Sequence, residues 1–107
     1  MTLDDFKTIV SNDRLILVDF YASWCGPCRA MHLILDKLEH ELADKVDVLR
    51  IDIDHPENVE LVHHYRIMSV PTLILFCRGR KLWRESGVLS VETLIDVVRR
   101  YEQIEMY

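Results

Sequence analysis

The chain has 107 residues, close to the commonest size of one domain and too short for two, so residues 1–107 are expected to form a single domain. Half of the residues are hydrophobic, enough for one core without disulfide staples. A formal net charge of −5 excludes the net basic surface that a nucleic-acid binder carries.

The N-terminal Met1-Thr2-Leu3-Asp4-Asp5 is acidic where a signal peptide would be basic, and no long apolar run follows. The segments Leu15 to Phe20 and Leu73 to Cys77 are far too short to span a bilayer. A soluble, cytoplasmic protein is therefore expected, with no membrane partner.

In chain order, the first predicted helix covers Thr2 to Val10. Thr2 and Asp5 resemble a capping box, and Leu3, Phe6 and Val10 share one face. Leu15 to Phe20 is a nearly unbroken apolar run, the mark of a strand covered on both sides. A long helix is predicted from about Cys28 to Ala43. Its buried stripe is Met31, Ile34, Leu35, Leu38 and Leu42, with Arg29, His32, Asp36, Glu39 and His40 facing water.

The next strand, Val46 to Ile53, puts Leu49, Ile51 and Ile53 on one face. Pro56 suits the first turn of a short helix reaching Tyr65, because proline there sacrifices no helical hydrogen bond. Thr72 to Cys77 reads as a strand turning at Arg78-Gly79-Arg80 into a partner over Lys81 to Glu85. Ser90 can cap a last helix whose stripe is Val91, Leu94, Ile95, Val98 and Tyr101. The order α-β-α-β-α-β-β-α predicts an α/β fold with a parallel pair at its start and helices on both faces of one sheet.

Three cysteines do not make a disulfide framework: Cys25 and Cys28 form a C-x-x-C unit and Cys77 is left over. Such a unit serves either redox chemistry or a metal. Structural zinc needs a second ligand pair at recognisable spacing, and neither Cys77 nor the five histidines supply another C-x-x-C or a C-x-x-H. Dithiol exchange suits the position better. Cys25 falls just before a helix and Cys28 in its first turn, where free N–H groups and the helix dipole favour the thiolate. Pro27 stiffens the ring that the two sulfurs close. Asp19, ending an apolar strand, is a carboxylate whose desolvation would raise its pKa toward proton-transfer values.

The segment Asp19-Phe20-Tyr21-Ala22-Ser23-Trp24-Cys25-Gly26-Pro27-Cys28 resembles the active-site segment of the thioredoxin family, and Val70-Pro71-Thr72-Leu73 resembles its cis-proline loop. Phe76, Gly79 and Gly87 also fall at the family's spacing, so the similarity runs from the first helix to the last. The resemblance implies a protein-disulfide reductase, a redox carrier that maintains cell redox homeostasis. Cys25 would be its exposed nucleophile, Cys28 its buried resolving thiol, with a redox-active Cys25–Cys28 disulfide, and Asp19 a buried proton-transfer group.

Pro71 would be cis, with the backbone of Val70 open to an extended substrate. Trp24, Gly26, Pro27, Val70, Pro71 and Gly87 would form the substrate-binding surface. The implied partners are disulfide-containing client proteins and thioredoxin reductase. NADPH would be used only indirectly, and no metal or cofactor would be bound. A monomer is expected. The alternatives are a disulfide oxidase or isomerase of the same fold, and a redox-independent binding module. Gly26-Pro27, where oxidising relatives commonly carry a histidine, argues against the former, and an intact cysteine pair argues against the latter.

Several positions depart from the family pattern. The family's first strand is absent, so a central mixed four-stranded sheet flanked by four helices is expected, with Val46 to Ile53 at its edge. Leu33 replaces a kinking proline, which implies a straighter helix. Arg50 stands where a lysine is frequent and would oppose the desolvation of Asp19 if it reached it. Tyr21 takes the place of a frequent tryptophan, a mild change. Cys77 reads as a small buried hydrophobe.

Overall fold

A computed structural model describes residues 1–106. Its elements are α1 (Leu3–Ile9), β1 (Leu15–Tyr21), α2 (Gly26–Glu41), β2 (Val46–Asp52), α3 (Val59–His64), β3 (Thr72–Cys77), β4 (Arg80–Ser86) and α4 (Val91–Met106). The four strands form one mixed sheet in the order β2-β1-β3-β4. β1 runs parallel to β2 and antiparallel to β3, and β3 pairs antiparallel with β4. The expected architecture is thus present, with β2 at an edge.

Alternation along β1 divides the core into two layers. Leu15 and Leu17 pack with Met31, Leu35 and Leu38 of α2 and with Leu94 and Val98 of α4. Ile16, Val18 and Phe20 point to the other face, against Phe6 of α1 and Leu61 of α3. Phe6, Tyr65 and Phe76 meet edge to face there, with ring centroids 5.4–5.5 Å apart. Burying each large side chain contributes roughly 1.5–3 kcal/mol, so these two layers hold the central strand in place. No helix among the described residues is long and apolar enough to cross a membrane.

Local chemistry explains the element ends. The Thr2 hydroxyl accepts from the Asp5 amide at 3.1 Å and starts α1. The Ser90 hydroxyl accepts from the Thr93 amide at 3.1 Å and starts α4. The predicted helix from Pro56 is two pieces: a 3₁₀ turn over Pro56–Asn58 precedes α3. His55 caps that turn by accepting the Glu57 amide on Nδ1, which ties the chain into the tighter geometry. Val97 is buried in α4 beside the predicted stripe.

The β3–β4 hairpin is tighter than its sequence suggested. Arg78 and Gly79 both have positive φ, 53° and 78°, so they make a two-residue turn and Arg80 already belongs to β4. The register shifts between Leu75 and Phe76, which pair with Trp83 and Lys81. Cys77 is fully buried, and its thiol donates to the Asp13 carbonyl at 3.4 Å. It is a packed hydrophobe, and burial raises its thiol pKa.

Candidate functional site

The C-x-x-C unit lies where β1 hands over to α2. The helix starts at Gly26, two residues earlier than predicted, because Cys25 itself is the N-cap. Its Sγ accepts the Cys28 amide at 3.2 Å, which places one sulfur over the free N–H groups of the first turn. Pro27 sits within that turn, where its missing N–H costs nothing. Cys25 and Cys28 are joined as a disulfide with Cα atoms 5.2 Å apart. The helix then runs unbroken through Leu33.

The two sulfurs differ less in exposure than expected. Cys28 is 1% exposed, as anticipated for the inner thiol, but Cys25 is only 5% exposed rather than open to solvent. The covering group is the loop before β3: Sγ of Cys25 lies 3.7 Å from the Val70 carbonyl oxygen. The Val70–Pro71 bond is cis. That loop is held by the Thr72 hydroxyl, which donates to the Ser69 carbonyl at 2.7 Å and lies 2.8 Å from the Ser86 hydroxyl. Gly87, with φ of 93°, donates its amide to the Pro71 carbonyl at 2.9 Å.

An exposed apolar groove adjoins this point, lined by Trp24, Ile53, Ile67, Met68, Ser69 and Val70. Trp24 is 68% exposed, and its indole N–H donates to Asp54 at 2.8 Å, so its ring is anchored by one edge. Gly26 lies exposed beside it at the helix start. Met68 is 90% exposed. Met68, Ile67 and Asp54 were not singled out from the sequence. Ile53 was read there only as part of a strand face, and only the fold brings these residues beside Trp24.

Asp19 is fully buried on the α2 side of β1. Burial pushes its carboxyl up to about 7, against the pull of the Arg50 guanidinium. Arg50 is its neighbour across the β1–β2 pair, but that guanidinium donates to Asp36 at 2.9 Å and Glu39 at 3.0 Å. The group that does reach Asp19 is His32, whose Nε2 lies 3.3 Å from Oδ2. The sequence had placed His32 among residues facing water. It sits at the margin of the buried stripe, and helical periodicity cannot show that a carboxylate lies below it.

This arrangement sets a capped sulfur and its disulfide partner at the start of α2 and a buried carboxylate against His32 of the same helix. The thioredoxin family model matches residues 1–100. The chain belongs to the thioredoxin family. The thioredoxin of Alicyclobacillus acidocaldarius is 44% identical over 96 residues, spanning 88% of this chain and 90% of that protein. The thioredoxin of Bacillus subtilis is 34% identical over 91 residues, spanning 85% and 86%. Among solved structures, a mutant thioredoxin of Halobacterium salinarum superposes with a TM-score of 0.83 at 31% identity, covering 94% of this chain and 86% of that one. Drosophila Deadhead gives 0.77 at 33% identity, covering 92% and 93%. The cysteine pair accordingly performs thioredoxin-type dithiol–disulfide exchange.

Proposed function

We propose that this thioredoxin-family chain is a monomeric, cytoplasmic protein-disulfide reductase that maintains cell redox homeostasis. The observation that carries the reading is the Cys25 sulfur held at the α2 N-terminus, 3.7 Å from the Val70 carbonyl and beside an open apolar groove. In the reduced protein the helix start favours the Cys25 thiolate. An extended client segment would pair with the backbone at Val70 and lay side chains along Trp24, Gly26, Pro27, Pro71 and Gly87.

The Cys25 thiolate attacks one sulfur of the client disulfide, forming a mixed disulfide and releasing the other client sulfur as a thiolate. The Cys28 thiol then gives its proton to Asp19 and attacks Cys25. The Cys25–Cys28 bond forms, the bond to the client breaks, and the second client sulfur leaves. Two electrons have passed to the client. Thioredoxin reductase returns them from NADPH, so the chain itself binds no metal or cofactor and acts as a carrier. Gly26-Pro27 within the pair favours this role over that of an oxidase.

The test is NADPH-coupled reduction of a model protein disulfide with a thioredoxin reductase and a Cys25→Ser control. Turnover that vanishes in the control is the expected result. An unchanged rate in Cys25→Ser would overturn the mechanism.

A further inference from the structure

Three buried side-chain polar atoms have no hydrogen-bond partner among the described residues: both carboxylate oxygens of Asp19 and Nε2 of His32. Buried orphans of this kind are costly and call for a reason. Here two of them face each other at 3.3 Å, across the gap between β1 and α2. The pair is asymmetric toward water. The Asp19 side chain is fully buried, whereas the His32 side chain is 33% exposed, so the imidazole spans from the carboxylate to the surface.

His32 is also one helical turn beyond Cys28. The i, i+4 spacing puts the resolving cysteine and the imidazole on one face of α2. Tyr21 fixes the ring from the other side, edge to face at 4.7 Å. We propose that His32 is the proton outlet of the site, a positioning residue that passes the proton taken up by Asp19 from Cys28 out to solvent and returns one when the disulfide is reduced. The inference rests on the reading of Asp19 as the proton acceptor for Cys28.

The surrounding charges suit such an outlet. Burial lowers the His32 pKa and Arg50 of β2 lowers it further, while Asp36 of its own helix opposes them. Glu39 and Asp36 in turn hold the Arg50 guanidinium. From β1 the ring meets Tyr21 and Asp19, and β3 puts Leu73, Leu75 and the buried Cys77 thiol on that face. Burial raises the Asp19 pKa and lowers that of His32, which weakens the ordinary preference of a proton for imidazole over carboxyl. In the resolving step the Cys28 S–H bond breaks and its proton moves to Asp19. The proton then moves to Nε2 as the ring releases its other proton to water. No electron is transferred in the relay itself.

The experiment follows reduced protein reacting with the aromatic disulfide dithiobis(nitrobenzoate). Its first thiol release reports attack by Cys25 and its second reports resolution by Cys28. Wild type, His32→Ala, His32→Gln and Asp19→Asn are compared from pH ~5 to ~9, the range that spans ordinary histidine and cysteine titration. The expected result is an unchanged first phase and a second phase slowed roughly tenfold in both His32 variants, with a shifted pH profile. Added imidazole should restore His32→Ala, whose vacated site admits it, and should leave His32→Gln slow. If Asp19→Asn slows the second phase while both His32 variants keep the wild-type rate and profile, the outlet is refuted and the Asp19 role stands. If Asp19→Asn itself leaves the second phase unchanged, the reading beneath it fails. Carboxyl and imidazole titrations of wild type by NMR give a check without any substitution. Independent curves for Asp19 and His32 would refute the shared proton.

Discussion

Arg50 stands beside Asp19 in the parallel pairing of β1 and β2, yet its guanidinium turns up to Asp36 and Glu39 of α2. Its charge is felt by Asp19 without a hydrogen bond to neutralise it, and burial remains the stronger influence. Replacing the arginine tests that balance. Arg50→Leu is expected to move the Asp19 pKa further up and to raise that of His32, since the same cation lowers both. NMR titration of the carboxyl and imidazole would read the two shifts, and opposite directions would contradict this assignment of charge.

The buried carboxyl also sets how stability responds to pH. Asp19 is raised from 3.8 in its free form to about 7 in the fold. Between those values the folded chain holds a proton that the unfolded chain has lost, so stability falls as pH rises and levels off above about 7. Asp19→Asn is expected to remove that contribution and to stabilise the protein at pH ~8 by up to about 4 kcal/mol, the shift converted at 1.36 kcal/mol per unit. Urea unfolding at pH ~4 and ~8 would check it. A difference between Asp19→Asn and wild type that is the same at both pH values would count against a raised Asp19.

The groove beside the disulfide predicts a separation of client binding from chemistry. Met68 is almost wholly exposed there and touches neither cysteine's hydrogen bonds. Met68→Asp is expected to raise KM for a protein disulfide by roughly threefold to tenfold, the effect of about 1 kcal/mol at an interface. Reaction with a small disulfide should keep its wild-type rate. Equal losses with both substrates would mean that the substitution damaged the site.

Gly87, whose amide bonds to Pro71 of the loop over the disulfide, has φ of 93°, with open space where a side chain would project. The cost of substitution is therefore backbone strain rather than collision. Gly87→Val is expected to lower stability by ~1–2 kcal/mol. A thermal melt unchanged from wild type would show that the loop relaxes freely.

Cys77 is expected to stay outside the redox cycle. Its thiol is buried, bonded to Asp13 and raised in pKa by that burial, all of which suppress the thiolate. Cys77→Ala should cost ~1 kcal/mol of stability and leave reductase turnover intact. Rapid alkylation of Cys77 in the folded protein would sink this reading.

Much of this was legible in the residues. The unbroken apolar run of β1 announced a strand covered on both faces, and Leu15, Leu17 and Val18 are fully buried. Thr2 and Ser90 announced helix starts, and both hydroxyls cap. Leu49, Ile51 and Ile53 pack together on one face as their alternation required. The departures arise where a side chain's partner is distant in sequence. Pro56 opens a 3₁₀ turn because His55 folds back on Glu57. Cys25 is covered because the Val70 carbonyl, 45 residues away, comes to rest beside it.

The sequence by itself determined the period of each element and the local chemistry of the site: a sulfur at a helix start, a second sulfur one turn in, and a carboxylate in an apolar strand. These are properties of neighbours along the chain, set by backbone geometry and by where apolar residues recur. Only the tertiary structure decided which groups meet across elements. It set His32 against Asp19, turned Arg50 away to α2 and gathered Trp24, Ile53, Ile67 and Met68 into one groove. Those meetings depend on strand register and on the rotation of α2 over the sheet. Both are fixed by packing the whole core, so no single segment encodes them.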